Sequence, residues 1–160
     1  MIEPLIFQYD RNLDYARRLV AGLDEAQACA QPPGLTLNHA TWVIGHLAVV
    51  ADLYAEVLGL TREKQAWMPL FGGGSTPGPD PRAYPPLAEL FTALEHGHDR
   101  LKSAVRAKPA DYWTRPPEDE KRRSRWPTMG EALVHIMVNH EAVHLGQLSA
   151  WRRAMGLKPV

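Results

Sequence analysis

The stretch from Thr128 to Met155, which reads TMGEALVHIMVNHEAVHLGQLSAWRRAM, decides the fold of this chain. Thr128 with Glu131 three residues later is the capping-box pattern that begins a helix, and Gly156 follows as a helix-ending residue. Between these signals the residues of one stripe recur mostly at steps of three and four: Leu133, Ile136, Met137, His140, His144, Leu148, Trp151 and Met155. This spacing predicts one long amphipathic helix with a single face in a hydrophobic core.

Two histidines lie on the same predicted face of this helix. His140 and His144 are four residues apart, so their rings lie one above the other and both can reach a single ion. His135 is five residues before His140, which in an α-helix turns its ring to another face. A lone histidine on an apolar face is usually a core residue, but a pair at this spacing favours a metal site.

The same residues match the zinc metalloprotease motif H-E-x-x-H, in which Glu141 would be the general base. Those enzymes take a third ligand downstream of the second histidine. Residues 145–160 contain no His, Asp, Glu or Cys, so the protease interpretation fails. Two roles stay open for Glu141: a general base at the site, or an ion-pair partner for an arginine on a neighbouring helix.

Three earlier segments, at about 4–22, 37–58 and 85–107, also show helical periodicity, and proline or glycine clusters separate them. Their predicted core-facing stripes are Leu5, Tyr9, Leu13, Ala16 and Val20, then His39, Val43, His46, Val50, Leu53 and Val57, then Leu87, Leu90, Leu94, His98, Leu101 and Val105. No alternating strand pattern persists anywhere. We predict an all-α chain in which four helices pack as a bundle, in a single domain over residues 1–160.

The second helix is expected to supply a third metal ligand. His46 lies midway along its inward face. Three neutral imidazoles from two facing helices make a site with an open position, suited to zinc, nickel or ferrous iron. His39, seven residues before His46, lies roughly 10 Å away on the same face and is expected as a pocket residue. His98, on the buried stripe of the third helix, could also face the site.

Two long irregular segments, at about 67–86 and 108–127, follow the second and third helices. Each is long enough to span a bundle, so a simple up-down-up-down path is not required. The second segment contains a basic run from Lys121 to Arg125. This run is either a solvated loop or a pocket rim, in which Arg122, Arg123 or Arg125 would bind an anionic substrate.

The charges and the termini argue against several classes of function. Lys and Arg number 18, as do Asp and Glu, and a net charge of zero argues against a nucleic-acid-binding protein. The N-terminus lacks the pattern of a signal peptide, and the apolar stretches fall short of the roughly 20 residues of a membrane span. The lone Cys29 allows no intrachain disulfide. We expect a soluble, cytoplasmic protein that binds no membrane.

Two motifs resemble those of a known family. They are Trp42-Val43-Ile44-Gly45-His46-Leu47 and His140-Glu141-Ala142-Val143-His144-Leu145-Gly146-Gln147-Leu148, and Phe71-Gly72-Gly73-Gly74-Ser75 is similar to the stretch before the third helix in many members. On these residues the chain resembles the DinB superfamily, the DinB/YfiT-like metalloenzymes. The resemblance implies a four-helix bundle with up-down-down-up connectivity, a homodimer, and one divalent metal ion bound by His46, His140 and His144.

The resemblance also suggests an activity. Related members include S-transferases that use mycothiol or bacillithiol, and a mycothiol-dependent maleylpyruvate isomerase. The first hypothesis is therefore a metal-dependent transferase that joins a low-molecular-weight thiol to a small electrophile, with Arg122 and Arg125 binding the carboxylates of the cofactor. A hydrolase that uses water at the same metal, with Glu141 as base, is a close variant. The alternative from another class is a noncatalytic, metal-stabilised stress-response or binding module with a closed site.

Overall fold

The computed structural model describes residues 2–160, and the regular elements within that range are all helical, which confirms the all-α class. The last long stretch is one continuous rod in which a π-helical segment, His135–His140, joins two α-helices. Short 3-10 turns lie at Gln65–Trp67, Pro81–Ala83 and Ala110–Thr114. In chain order the α-helices are α1 (Glu3–Val20), α2 (Glu25–Cys29), α3 (Ala40–Val57), α4 (Met68–Phe71), α5 (Leu87–Arg106), α6 (Glu120–Arg123), α7 (Met129–Val134) and α8 (Glu141–Ala154).

Side-chain caps determine where several helices begin. The capping box of Thr128 and Glu131 is present at the start of α7, as predicted. Helix α3 begins at Ala40, three residues later than predicted, because Nδ1 of His39 accepts a hydrogen bond from the backbone N–H of Trp42 at 3.2 Å. His39 is therefore the N-cap of α3 and precedes the helix itself. Helix α2 has only five residues, too few to show an apolar period.

The buried face of α1 differs from the predicted stripe. Leu5, Leu13 and Val20 are only half-buried. The residues that face the interior are Ile6, Tyr9, Asn12, Ala16 and Leu19. The prediction is confirmed for Tyr9 and Ala16. It fails at the other positions because it counted apolar residues only, whereas the polar Asn12 lies on the inward face, where its amide donates to backbone carbonyls of the π-helical segment.

Helix α3 is the central helix of the fold. Residues 40–49 are buried without exception, whereas the predicted seam residues Val50, Leu53 and Val57 are half-buried. By length and composition alone α3 could cross a membrane, but 78% of its 18 residues, Ala40–Val57, are buried inside the structure. Such burial is usual for the core helix of a soluble protein. The first half of α3 therefore meets protein on all sides.

Helices α3 and α5 pack closely together. The predicted stripe of α5, from Leu87 to Val105, is buried throughout. A Cβ atom on Gly97 of α5 would lie 3.0 Å from the Cβ of Ala51 on α3, so the glycine permits the close approach. One turn further along, the buried carboxylate of Asp52 accepts a hydrogen bond from Arg100 at 2.6 Å. This pair fixes the two helices relative to each other.

Candidate metal centre

Three histidines from α3 and the final rod converge inside the fold. His46 lies midway along α3, His140 is the last residue of the π-helical segment, and His144 follows one turn later in α8. The Nε2 atoms of His46 and His140 are 3.1 Å apart. One nitrogen from each of the three rings lies within 4.8 Å of the other two. The structure thus brings together the three residues that the sequence proposed as ligands.

Burial lowers the pKa of all three rings. The pKa of His140 falls to about 3 because the ring is buried and lies beside His144, His46 and His135. The pKa of His144 falls to about 4, through burial and the nearby His46. Burial also lowers the pKa of His46, against the opposing effect of its hydrogen bond to Phe71. The three rings are neutral near pH 7, which is the form that binds a metal ion.

The surroundings of the rings fit a cation at their shared centre. No Asp, Glu or Cys of residues 2–160 joins the three histidines in the cluster. Nδ1 of His46 donates to the carbonyl of Phe71, so its Nε2 presents a lone pair towards Nε2 of His140, 3.1 Å away. A divalent ion between the rings would accept such lone pairs. Three imidazole ligands suit zinc, nickel or ferrous iron.

The ring of His46 is held in one orientation by its neighbours. Nδ1 donates to the backbone carbonyl of Phe71 at 2.6 Å, which leaves Nε2 facing the other histidines. The indole of Trp42 stacks on the imidazole, with ring centroids 4.7 Å apart and planes inclined by 7°. A Cβ atom on Gly45 would lie 2.4 Å from the ring of Phe71. Gly45 therefore allows Phe71 to approach α3 closely enough to bond His46.

A glycine-rich strap, residues 71–78, crosses the first half of α3. Besides the bond from His46, the indole N–H of Trp42 donates to Oγ of Ser75 at 2.9 Å. Nε2 of His39 donates to the carbonyl of Gly78, also at 2.9 Å. His39, predicted as a pocket residue, thus caps α3 and fastens the far end of the strap. The strap is tied to α3 by three side chains spaced one or two turns apart.

Glu141 and His98 form a separate polar pair in the core. Oε1 of Glu141 accepts a hydrogen bond from Nε2 of His98 at 2.8 Å, and both side chains are buried. The ring of Tyr9 stacks on His98 at a centroid distance of 3.6 Å. Burial raises the pKa of the Glu141 carboxyl, while the charge and hydrogen bond of His98 lower it in part. The partner of Glu141 is a histidine, not the arginine considered from the sequence, and neither residue belongs to the cluster of three.

The family assignment rests on a match over most of the chain. The sequence model of the DinB superfamily matches residues 8–148, a range that contains all three histidines. This chain belongs to the DinB superfamily. No curated protein matches it. Family membership and the convergence of the three rings together support a DinB-like chain whose histidines could hold a metal ion.

The π-helical segment gives this DinB chain a fourth histidine near the centre. His135 is expected on another face from an α-helical count, but residues five apart share a face in a π-helix. The ring centroids of His135 and His140 are 6.4 Å apart. The expectation for His135 is therefore wrong, because the rod is not α-helical at this point.

A basic cleft of about 300 Å³ lies beyond His135. The guanidinium of Arg122 lies 5.7 Å from the centroid of the Tyr54 ring at its wall. The ring of Trp126, also in the cleft, lies 5.2 Å from that of His135. The cleft is lined by Leu53, Tyr54, Asp119, Lys121, Arg122, Arg125 and Trp126. A chain of rings, Trp126, His135 and His140, connects this cleft to the three histidines.

The arginines of the basic run have different surroundings. Arg122 and Arg125 line the basic cleft, whereas Arg123 donates to the carbonyls of Pro117 and Glu118 within its own loop. Arg122 lies 3.9 Å from the carboxylate of Asp119, whereas Arg125 forms no ion pair with a carboxylate among residues 2–160. Its charge is therefore available to an anionic ligand.

Proposed function

We propose that this DinB superfamily chain is a divalent-metal-dependent enzyme that transfers a low-molecular-weight thiol to a small electrophile. The observation that carries the proposal is the set of three converging, neutral imidazoles with no fourth ligand from the described residues. Structural zinc sites usually have four protein ligands, whereas catalytic sites have three and keep a position open. Zinc, nickel and ferrous iron are the candidate ions.

Partial exposure of the centre supports an enzyme over a closed binding module. His140 and His144 are half-buried, whereas His46 is buried. This partial exposure supports an approach of a small molecule from the side of the final rod. The noncatalytic stress-response or binding module remains the second candidate, and it requires a centre that substrates do not reach.

When bound, a divalent ion lowers the pKa of a coordinated thiol or water and so supplies a nucleophile near neutral pH. The chain's own residues would orient the reactants. Phe71 and Trp42 hold the ring of His46 in place. Arg122 and Arg125 would bind carboxylates of the thiol cofactor, such as bacillithiol or mycothiol, or of the acceptor. A hydrolase at the same centre is the close variant, but the bond between Glu141 and His98 disfavours Glu141 as its base.

We also propose the up-down-down-up connectivity of a four-helix bundle, and the order of contacts supports it. Along α1 and α5 the contacts run in opposite order, because Glu3 pairs with Arg106 and Arg17 with Glu95. The contacts of α3 with α5, and of α1 with the final rod, run in the same order: Ala51 with Gly97 and Asp52 with Arg100, then Asn12 with Met137 and Leu19 with Arg152. A single domain, a cytoplasmic homodimer and a small-molecule substrate, with no nucleic-acid or membrane partner, complete the proposal.

The test combines metal content with turnover. Purified protein is stripped of metal, reloaded with Zn²⁺, Ni²⁺ or Fe²⁺, and incubated with bacillithiol or mycothiol and a chloro-nitroaromatic acceptor. We expect about one ion per chain and metal-dependent conjugation, both lost in His144→Ala. His96→Ala is the control, because His96 is exposed and pairs only with Glu63 on the surface.

Each other outcome points to a different function. Full metal occupancy in His144→Ala would refute the ligand set. Metal-dependent cleavage of esters or amides without conjugation would favour the hydrolase. Tight metal binding with neither activity would favour the noncatalytic module.

A further inference from the structure

We propose that Asn12 is a positioning residue for the three-histidine centre, acting through the π-helical segment that ends at His140. The inference rests on the proposed metal site and names a residue that sets its geometry. Asn12 lies on α1, a helix that contributes none of the three histidines. Its side chain is 6% exposed, so it acts from inside the fold.

The π-helical segment determines which way His140 faces. A π-turn bonds residues five apart and so contains one residue more than an α-turn. If the turn relaxed to an α-helix, residues before it would rotate by roughly 100° relative to those after it. Leu133 and Met137 are buried in the core before the end of the turn. With these residues held in the core, His140 and His144 would rotate away from His46.

Asn12 donates hydrogen bonds to the backbone carbonyls at the point where the π-turn returns to α-helix. The backbone N–H of Glu141 donates to the carbonyl of Val138, three residues back, whereas an α-helical bond would go four back, to Met137. The side-chain amide of Asn12 donates to both carbonyls, Met137 and Val138, at 3.3 Å each. Buried carbonyls need donors, so Asn12 stabilises the irregular turn.

A contact on each side of His140 fixes its position. Just before it, Asn12 bonds the carbonyls of Met137 and Val138; directly after it, Glu141 bonds His98 of α5. The side chain of Gln8 donates to Oδ1 of Asn12 at 3.4 Å. This bond directs the Nδ2 group of Asn12 towards the rod. Contacts from α1 and α5 thus hold the π-turn in place, while His140 at its end faces α3.

The experiment removes the hydrogen-bond donor of Asn12. Bound Co²⁺, without any other ligand added, then reports the geometry of the centre. Asn12→Asp keeps the size of the side chain but removes the donor. Asn12→Leu removes the donor without adding a charge beside the carboxyl of Glu141, whose pKa burial raises and a hydrogen bond from Asn12 lowers in part, and should give the same result. We expect a fall of about 10- to 100-fold in Co²⁺ affinity, as is typical when a group that orients a ligand is lost, together with altered visible d–d bands. Gln65→Glu, the same chemical change at an exposed position, is expected to leave both unchanged. Asn12→Gln, which retains a donor, should recover part of the affinity.

The outcomes separate this inference from the proposed function. If the unaltered protein binds no Co²⁺, the metal site itself is wrong. If it binds Co²⁺ and a folded Asn12→Asp shows the same affinity and spectrum, the role of Asn12 is overturned.

A measurement on the unaltered protein covers the case in which the variants do not fold. The side-chain amide of Asn12 should shift in the NMR spectrum on Zn²⁺ binding, because ligation of His140 changes the strength of the carbonyl bonds. The exposed amide of Gln65 should not shift. A stationary Asn12 amide in zinc-loaded protein would overturn the proposal.

Discussion

The chain contains two groups of inward-facing histidines that are built in different ways. In the open group, His46, His140 and His144 face one another without a carboxylate, and the pKa of each ring is lowered. In the closed pair, His98 donates to Glu141. A histidine bonded to a carboxylate has a partner already. Three neutral rings that converge without one form an arrangement that a cation completes.

The two groups also differ in their access to solvent. His98 is 0% and Glu141 4% exposed, whereas His140 and His144 are only half-buried. The closed pair therefore belongs to the stability of the core, whereas the open group is the candidate metal centre. Added metal should therefore distinguish the effects of substitutions in the open group from those in the closed pair.

The largest effect is expected from breaking the closed pair. His98→Ala leaves Glu141 buried without its partner, and loss of one member of a buried pair costs about 3–5 kcal/mol. Urea denaturation should show this loss in the free energy of unfolding, with or without metal. The control His96→Ala should stay within about 0.5 kcal/mol of the parent. A loss in His98→Ala as small as that of the control would contradict the assignment.

Metal should stabilise the fold only through the open group. At a free Zn²⁺ concentration of about 100 times Kd, the unaltered protein should gain about 2.7 kcal/mol. His46→Ala should gain almost nothing, since it lacks one of the three ligands. Thermal denaturation at matched Zn²⁺ concentrations measures both. An equal gain in the variant would place the ion elsewhere.

A smaller effect is expected where the strap meets the open group. Gly45→Ala places a Cβ atom 2.4 Å from the Phe71 ring, and such overpacking typically costs about 1–3 kcal/mol. Zn²⁺ affinity should also fall, because the displaced Phe71 carbonyl no longer orients His46. Gly146→Ala is the matched control: no atom lies within 4 Å of its added Cβ, and alanine should stabilise α8 by about 0.5–1 kcal/mol. Equal effects of the two substitutions would argue against the contact.

The last effect is gradual, because it is spread over several pH units: the loss of stability in acid without metal. The lowered pKa values mean that the unfolded chain binds more protons than the folded chain below the usual histidine pKa of 6.5. Stability is thus lost as pH falls from about 6.5 towards the folded values, by at most about 1.4 kcal/mol per pH unit for each ring. Glu141, whose pKa is raised, acts in the opposite sense.

Comparison of His144→Ala with the unaltered protein measures the contribution of one ring of the open group. Denaturation of metal-free protein at several pH values should show that the free energy of unfolding falls less steeply with decreasing pH in the variant. Identical slopes would mean that the rings do not titrate as the geometry implies.

The sequence predicted the clustering of the three histidines better than the contacts that support them. His46, His140 and His144 could be chosen because helical spacing and two short motifs point to the same residues. The π-turn could not be predicted, because its stability depends on Asn12, which lies more than 120 residues earlier in the chain. The inward position of Asn12 was missed for the same reason: its partners are backbone carbonyls that no side-chain pattern reveals.

The H-E-x-x-H motif shows a similar limit. The motif gives Glu141 a catalytic role in another class of protein, whereas here the carboxylate is bonded to His98 on α5. A short motif specifies spacing within one helix, but the partner on the neighbouring helix decides what each side chain does. The α5 stripe, which depends on spacing alone, was predicted in full.

The complete burial of residues 40–49 in α3 has a consequence for how the protein diversifies. Every side chain in this stretch already fills space, so the helix that carries His46 has no position free to adapt to a new ligand. Residues 118–125 are exposed apart from the half-buried Arg122. New substrate preferences, natural or engineered, should therefore arise from changes in this loop, while α3 stays as it is.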